Sequence, residues 1–188
     1  MTERLTRITT KKGDAGETSI ASGEQLSKAS LRINAIGEVD ELNAALGLLV
    51  ASLDAVHQAD NELVGQVYQF CRDVQNELFN VGGELALPQQ HFVSEEGVAH
   101  VDAFITKHNT QLPPLKEFVI PGQNLPSAHA HMVRCIARRA ERSVVQLHQE
   151  EGVSSQLLSY LNRLSDAFFI VARLLGRLDS QNEPQWRR

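Results

Sequence analysis

Apolar residues recur at helical spacing along most of the chain, starting at about Lys28. In the first of these stretches, apolar side chains follow one another at intervals of three or four positions from Leu31 to Leu49. This period places them on one face of an α-helix, whereas a half-buried strand alternates at every second position. Four later stretches follow the same rule. The five predicted helices therefore lie at about 28–49, 61–85, 94–109, 126–150 and 154–178.

The segments outside these helices show little sign of regular structure. Residues 1–25 set glycines among Thr, Ser, Lys and Asp, a composition that is typical of loops. Only the stretch from Phe118 to Ile120 is strand-like, and it is too short to build a sheet. Residues 181–188 are predicted to be a frayed tail. We therefore expect one all-α domain spanning the whole chain, with a bundle of about five helices over 26–180 and a glycine-rich N-terminal loop.

Composition and charge narrow the possible functions. The chain has 188 residues, of which 42% are hydrophobic and 22% charged, and this balance is that of an ordinary globular protein. Its net charge of −5 argues against nonspecific binding of nucleic acid, which requires a basic face. No run of about 18 apolar residues is present, so no membrane-spanning helix is predicted. The two cysteines, Cys71 and Cys135, are far apart and predict reduced thiols in a cytoplasmic protein.

The N-terminal loop contains a candidate anion site between Thr10 and Ser19, with the sequence TKKGDAGETS. Glycines let the backbone approach an anion closely, and successive N–H groups can surround it. Lys11 and Lys12 add positive charge. The segment lacks the Walker A spacing and follows no strand, so it predicts neither a P-loop nor a dinucleotide fingerprint. The alternative is a solvated N-terminal arm.

A second candidate site is a row of arginines in the fourth predicted helix. Arg134, Arg138 and Arg142 are four positions apart and therefore share one helical face. Guanidinium groups match phosphate oxygens, and three in a row can follow a polyphosphate. Glu141 flanks this face and can hold an arginine by a hydrogen bond. The alternative is a solvated charged face whose partners are carboxylates elsewhere, for example in the segment 38–41.

A third candidate lies in the fifth predicted helix, where Asn162 and Asp166 share a face. The alternative is a polar rim of the bundle. The sequence has no nucleophile elbow and no Glu-x-x-His pair, and His129 and His131 are only two positions apart. These features predict binding and positioning of an oxyanion, with no metal site in the protein.

Taken together, these segments resemble the ATP:cob(I)alamin adenosyltransferases of the helical-bundle type. TKKGDAGETS is similar to that family's TKxGDxGxT/S loop, and GEVDELNAALG resembles its G-x-V-D-E-L-N segment. The segments FVIPG, RCIARRAER and LNRLSDAFFIVAR complete the resemblance in the same order along most of the chain. The chain departs from the family at Gln123, where a second glycine is usual after Pro-Gly, and at Ile36, where tyrosine is frequent.

The resemblance implies a transferase that moves the 5′-deoxyadenosyl group of ATP to the cobalt of cob(I)alamin and releases triphosphate. It also implies a homotrimer with active sites at the subunit boundaries, Mg²⁺ with the nucleotide, and a flavin or other reductase that supplies reduced cobalamin. Two alternatives remain open. One is another nucleotide-dependent enzyme such as a phosphotransferase, and the other is a sensor or carrier bundle that binds ATP or a corrinoid without turnover.

The resemblance also implies which residues form the site. Asp40 and Arg134 correspond to an acid–arginine pair across the subunit boundary, Phe118 to an aromatic ring beneath the corrin, and Arg138 to a residue that acts on the triphosphate. The residues implied to bind ATP are Thr10, Lys11, Lys12, Gly13, Thr18, Ser19, Lys28, Arg138, Arg139, Glu141, Arg142 and Asn162.

Overall fold

A computed structural model describes residues 9, 11, 13–54, 61–180 and 182–187. Within these residues the fold is a bundle of five α-helices, and each of the five predicted helices is confirmed to within a few residues at its ends. The helices are α1 (Leu31–Asp54), α2 (Glu62–Ala86), α3 (Glu95–Asn109), α4 (Leu125–Glu151) and α5 (Ser155–Gly176).

Capping side chains explain where most of these helices begin. The side chains of four residues accept hydrogen bonds from backbone N–H groups in the first turn of the following helix, which would otherwise lack partners. These residues are Asn61, Ser94, Asn124 and Ser154. Gly152 follows α4 with a φ of 75°, a conformation that side chains disfavour, and it ends the helix as its position predicts.

The buried faces of the helices form one continuous hydrophobic core. Helix α4 packs against both α1 and α5, while α2 lies against α1 and α3 lies against α5. Arg32, in the first turn of α1, forms a 2.7 Å ion pair with Glu151 at the end of α4. Glu38 contacts Arg139 nearer the middle of α4, at 2.6 Å. Since residue numbers rise along α1 as they fall along α4, these two helices are antiparallel.

The N-terminal segment is more ordered than its composition indicates. Strands β1 (Glu17–Ser19) and β2 (Gln25–Ser27) form an antiparallel hairpin in which Thr18 faces Leu26. Gly23 has a φ of 87° in the connecting turn. The prediction of loop throughout residues 1–25 is therefore wrong for the hairpin. Each strand is three residues long, which is too short for an alternating pattern to stand out.

The predicted frayed tail is also wrong for residues 182–187, which we call the C-terminal strap. The backbone N–H of Trp186 donates to the carbonyl of Phe118 at 2.8 Å, and that of Ile120 donates to the carbonyl of Pro184 at 2.8 Å. The strap thus pairs with the one strand-like segment of the connector. Composition alone missed this pairing because the two partners are far apart in the chain.

Two further observations bear on the sequence-based expectations. No helix in the described ranges is both long and apolar enough to cross a membrane. Cys71 is buried and Cys135 is exposed, and both are free thiols. Burial raises the pKa of the Cys71 thiol far above its usual range, so this cysteine behaves as a small apolar residue of the core.

Candidate functional site

The N-terminal loop brings Lys28 against Gly13. The backbone N–H of Lys28 donates to the carbonyl of Gly16 at 2.8 Å, and the N–H of Gly16 donates to the carbonyl of Gly13 at 3.2 Å. A Cβ atom at Gly13 would lie 2.9 Å from the ammonium nitrogen of Lys28. It would also lie 3.2 Å from the backbone carbonyl oxygen of Glu17, so glycine leaves more room here for the ammonium group of Lys28 beside the loop backbone.

The other loop candidates lie close by in the sequence but are not all described. Lys11 is exposed and has a φ of 59°, a left-handed conformation that is unusual for a residue with a side chain. Thr18 and Ser19 lie in β1, directly after the loop. Thr10 and Lys12 lie outside the described residues.

A cleft of about 430 Å³ opens beside α4 and α5 and collects four of the predicted ATP-binding residues. Arg138 and Arg142 are both exposed there, one helical turn apart. Arg142 donates to the backbone carbonyl of Arg138 at 3.2 Å. Two guanidinium groups and one carboxylate give this cleft a net positive charge, which suits a polyanion. The lining residues are Arg138, Glu141, Arg142, Val145, Gln146, Gln149 and Asn162.

Asn162 is held in place by a chain of hydrogen bonds across three helices. Its amide nitrogen donates to Glu141 at 2.8 Å, and its amide oxygen accepts from Arg163 at 2.9 Å. Arg163 in turn forms a 2.9 Å ion pair with Asp102 of α3. Sequence reasoning missed both Arg163 and Asp102. The only available signal was the charge of Arg163 next to Asn162, since Asp102 is 61 positions away from Arg163.

Arg139 lies on another face of α4 from Arg138 and Arg142. Its guanidinium group donates to Glu38 at 2.6 Å and also contacts Glu41, both on α1. Hydrogen bonds to Glu41 and Glu38 raise the pKa of Arg139 above its usual range. The acids of the segment 38–41 therefore do pair with an arginine of α4, and Arg139 joins α4 to α1 near the cleft.

A second cleft of about 440 Å³ lies where the connector between α3 and α4 meets the bundle. Phe118 projects at its edge with 80% of its surface exposed, and Phe169 lines the same cleft. Arg134 also lines it, and its buried Nε atom has no hydrogen-bond partner among the described residues. The second cleft thus combines an exposed aromatic ring with a guanidinium nitrogen that has no partner among the described residues, and both features are typical of binding surfaces.

His131 lies at the base of the second cleft with 4% of its surface exposed. Neither ring nitrogen has a hydrogen-bond partner in the described part of the chain. Burial, together with the nearby charge of Arg134, lowers the pKa of His131 to about 4. The imidazole is therefore neutral at neutral pH, and it adds no charge to those of Lys116, Glu117 and Arg134, which line the same cleft.

Asp40 does not meet Arg134 within the chain. Asp40 is exposed on α1 and lines a different cleft of about 340 Å³ between α1 and α2. Phe79 lines the same cleft with 72% of its surface exposed. The structure thus brings Arg138, Glu141, Arg142 and Asn162 together, and it leaves Asp40 and Arg134 on separate surfaces.

Comparison with known proteins identifies the family. The family model described as cobalamin adenosyltransferase matches residues 8–175. A cobalamin adenosyltransferase of Cupriavidus metallidurans is 40% identical over 188 residues, which cover 100% of this chain and 98% of that one. A corrinoid adenosyltransferase of Bacillus subtilis is 35% identical over 185 residues, covering 97% of this chain and 93% of the relative.

Solved structures agree with this result. One is a phenylalanine-to-alanine variant of a PduO-type ATP:corrinoid adenosyltransferase from Lactobacillus reuteri, complexed with cobalamin and ATP. It matches with a TM-score of 0.85 and 31% identity, over 97% of this chain and 100% of that chain. An arginine-to-lysine variant of the same protein, complexed with ATP, matches with a TM-score of 0.84 and 33% identity. This match covers 96% of this chain and 100% of that chain. The chain described here therefore belongs to the cobalamin adenosyltransferase family.

Proposed function

We propose that this chain transfers the 5′-deoxyadenosyl group of ATP to the cobalt of cob(I)alamin, giving adenosylcobalamin and triphosphate. The observation that carries the proposal is its likeness over nearly the whole chain to a solved adenosyltransferase that holds cobalamin and ATP. The cleft between α4 and α5 supports it, because Arg138 and Arg142 are exposed there and accessible to a polyphosphate.

The chemistry of this reaction explains which groups the site contains. The lone pair of Co(I) attacks C5′ of ATP, the Co–C bond forms, and the C5′–O bond breaks with its electron pair leaving on the triphosphate. Because the nucleophile carries no proton, the enzyme needs no general base. Its tasks are to orient the two substrates and to stabilise the charge that develops on the leaving group.

We assign these tasks to the described residues as follows. Arg138 and Arg142 bind the triphosphate oxygens through their guanidinium groups, and Lys28 beside Gly13 binds them from the loop. Asn162, held by its bonds to neighbouring helices, contacts the nucleoside. The remaining proposed ATP contacts are Thr10, Lys11, Lys12, Thr18, Ser19 and Glu141, while Arg139 orients α4.

Mg²⁺ fits this arrangement as part of the nucleotide complex. In the described ranges, no three His, Cys, Asp or Glu side chains gather into a group that can hold a metal ion. Mg²⁺ is commonly held by substrate phosphates with few protein ligands. We therefore assign Mg²⁺ to the triphosphate, where it would share the neutralisation of charge with Arg138 and Arg142.

The active site is proposed to form between copies of the chain, in a homotrimer. Arg134 has a buried nitrogen without a partner, and Asp40 is exposed on a different surface beside the exposed ring of Phe79. A large exposed apolar side chain next to an exposed acid is typical of an interface. We propose that Asp40 of one copy pairs with Arg134 of the next.

Phe118 is proposed to act on the cobalt ligand. An axial ligand stabilises Co(II) over Co(I), so an apolar ring that excludes water and the lower ligand makes reduction easier. The electron itself would come from a flavin or other reductase. The phenylalanine and arginine positions varied in the Lactobacillus reuteri structures are 20 residues apart, the same separation as that of Phe118 and Arg138.

Replacement of Phe118 by alanine is expected to slow adenosylation from cob(II)alamin far more than from chemically pre-reduced cob(I)alamin. The exposed ring makes few contacts with the bundle, so the melting temperature should stay close to that of the wild type. Both reactions are followed by absorbance under anaerobic conditions, with Phe92→Ala, also at an exposed ring, as the control. An equal loss of rate from cob(II)alamin and from cob(I)alamin would contradict the proposal that Phe118 excludes the axial ligand.

The activity itself is tested by anaerobic incubation with ATP, Mg²⁺ and chemically reduced cobalamin, followed by chromatography of both products. We expect light-sensitive adenosylcobalamin and an equal amount of triphosphate. ADP or AMP as the product would indicate a phosphotransferase or a related enzyme. Binding of ATP without formation of adenosylcobalamin or triphosphate would favour the alternative, in which the chain is a sensor or carrier.

A further inference from the structure

The C-terminal strap is attached to the bundle by a buried ion pair. The carboxylate of Glu183 accepts two hydrogen bonds from Arg173 of α5, each of 2.8 Å. The side chains of Arg173 and Glu183 are 5% and 3% exposed, so the pair is shielded from water. Arg177 adds a third contact to Glu183 at 3.3 Å. A two-pronged, buried arginine–carboxylate pair has a well-defined geometry and is costly to break from one side.

The same arginine also holds the connector that carries Phe118. Its Nη2 atom donates to the backbone carbonyl of Pro113 at 2.7 Å. Arg173 therefore contacts two segments at once, the connector after α3 and the strap after α5. Loss of the Glu183 carboxylate would leave a buried guanidinium group with only part of its hydrogen bonds, and the strap would lose its anchor.

The strap, in turn, supplies the hydrogen bonds that hold the Phe118 segment. The carbonyl of Phe118 accepts from Trp186 and the N–H of Ile120 donates to Pro184, each at 2.8 Å. The N–H of Glu117 donates to the side chain of Gln185 at 3.2 Å. In the described part of the chain, every backbone hydrogen bond of residues 117–120 ends on the strap.

Because Phe118 is exposed, the position of its segment depends on these hydrogen bonds to the strap. Its ring is 80% exposed, so packing against the core does little to hold the segment in place. A backbone position set by hydrogen bonds to one short segment is only as fixed as that segment. The strap is fixed at Glu183, three positions before Trp186.

We propose that Glu183 is a positioning residue of this enzyme: through its ion pair with Arg173 it fixes the strap, and the strap fixes Phe118 at the edge of the second cleft. This inference rests on the proposed function, since it assigns the strap a part in the reaction through Phe118. Release of the strap should therefore impair the Phe118-dependent step and leave binding of ATP at the other cleft unchanged.

The structural half of the proposal is testable without enzyme activity, because Trp186 is the only tryptophan in the chain. In Glu183→Gln, we expect the Trp186 emission to shift to longer wavelength and quenching by acrylamide to increase. Glu150→Gln is the matched control, since Glu150 is an exposed carboxylate on α4 away from the strap. Unchanged emission and quenching in a folded Glu183→Gln protein would overturn the proposal.

The functional half is tested by comparing the two cobalamin starting states. We expect Glu183→Gln to lose about tenfold in rate from cob(II)alamin, with a change of less than about twofold from pre-reduced cob(I)alamin. The KM for ATP should stay at the wild-type value, whereas a general loss of folded protein would lower both rates equally. Strap release with an unchanged ratio of the two rates would overturn the proposal.

A milder variant covers the case in which Glu183→Gln does not fold. Gln185→Ala removes only the side-chain bond to Glu117 and keeps the ion pair intact. It should shift the ratio of the two rates in the same direction by a smaller factor, and an unchanged ratio would count against the proposal. If the wild type makes no adenosylcobalamin, the proposed function fails, while the Trp186 measurement still decides whether Glu183 anchors the strap.

Discussion

Replacement of Arg138 by alanine is expected to lower kcat by about 10²–10³-fold while the bundle stays folded. Arg138 is exposed in the cleft beside α4 and α5, and no other side chain of the described residues pairs with its guanidinium group. Its removal therefore costs the fold little. It does remove a donor from the place where charge develops on the leaving triphosphate. Steady-state rates, with circular dichroism to check folding, provide the measurement.

Two controls separate the roles of charge and geometry at this position. Arg138→Lys keeps the positive charge but loses the planar fork, so it should recover only part of the rate. Lys107→Ala removes an exposed cation from α3, away from the cleft, and should leave the rate unchanged. A normal rate for Arg138→Ala would show that the arginine face of α4 does not act on the triphosphate.

Replacement of Asp40 or Arg134 by alanine is expected to weaken both assembly and activity. Breaking a buried pair from one side typically costs about 3–5 kcal/mol, which is enough to dissociate an oligomer at low concentration. Arg134 offers a buried nitrogen with no partner in its own chain as far as the structure describes it, and this is what a contact with another copy would satisfy. Sedimentation velocity and the rate of adenosylation are measured on the same samples.

The charge-swapped double variant gives the sharper test of this pair. Asp40→Arg combined with Arg134→Asp should restore part of the assembly that either substitution removes, because the two charges still attract. Asp54→Ala, at an exposed acid at the end of α1, is the control. If both single variants sediment and react like the wild type, Asp40 and Arg134 do not form the proposed pair.

Local sequence patterns were sufficient for the helices and for part of the site. Apolar residues such as Val67, Phe70 and Val74 recur at helical spacing and are buried, because one face of each helix must meet the core. The same geometry places Arg138 and Arg142 together, since residues four positions apart share a face on any regular helix. Neither inference depends on where the other helices lie.

Arg139 shows the limit of such reasoning. It is next to Arg138 in the sequence, but one step along a helix rotates the side chain by about 100°. This rotation points the Arg139 side chain towards Glu38 and Glu41 on α1, and Glu38 is 101 positions away in the sequence. Whether a charged face meets a ligand, solvent or another helix depends on which carboxylates the fold brings to it.

The sequence by itself determined the five helices and the motifs shared with the family, because each of these depends on neighbours within a few positions. Only the tertiary structure decided the use of Arg139, the bracing of Asn162 and the pairing of the C-terminal strap with the Phe118 segment. These features join residues that are distant along the chain. Their hydrogen bonds and ion pairs contribute free energy only once packing of the core has brought both partners together.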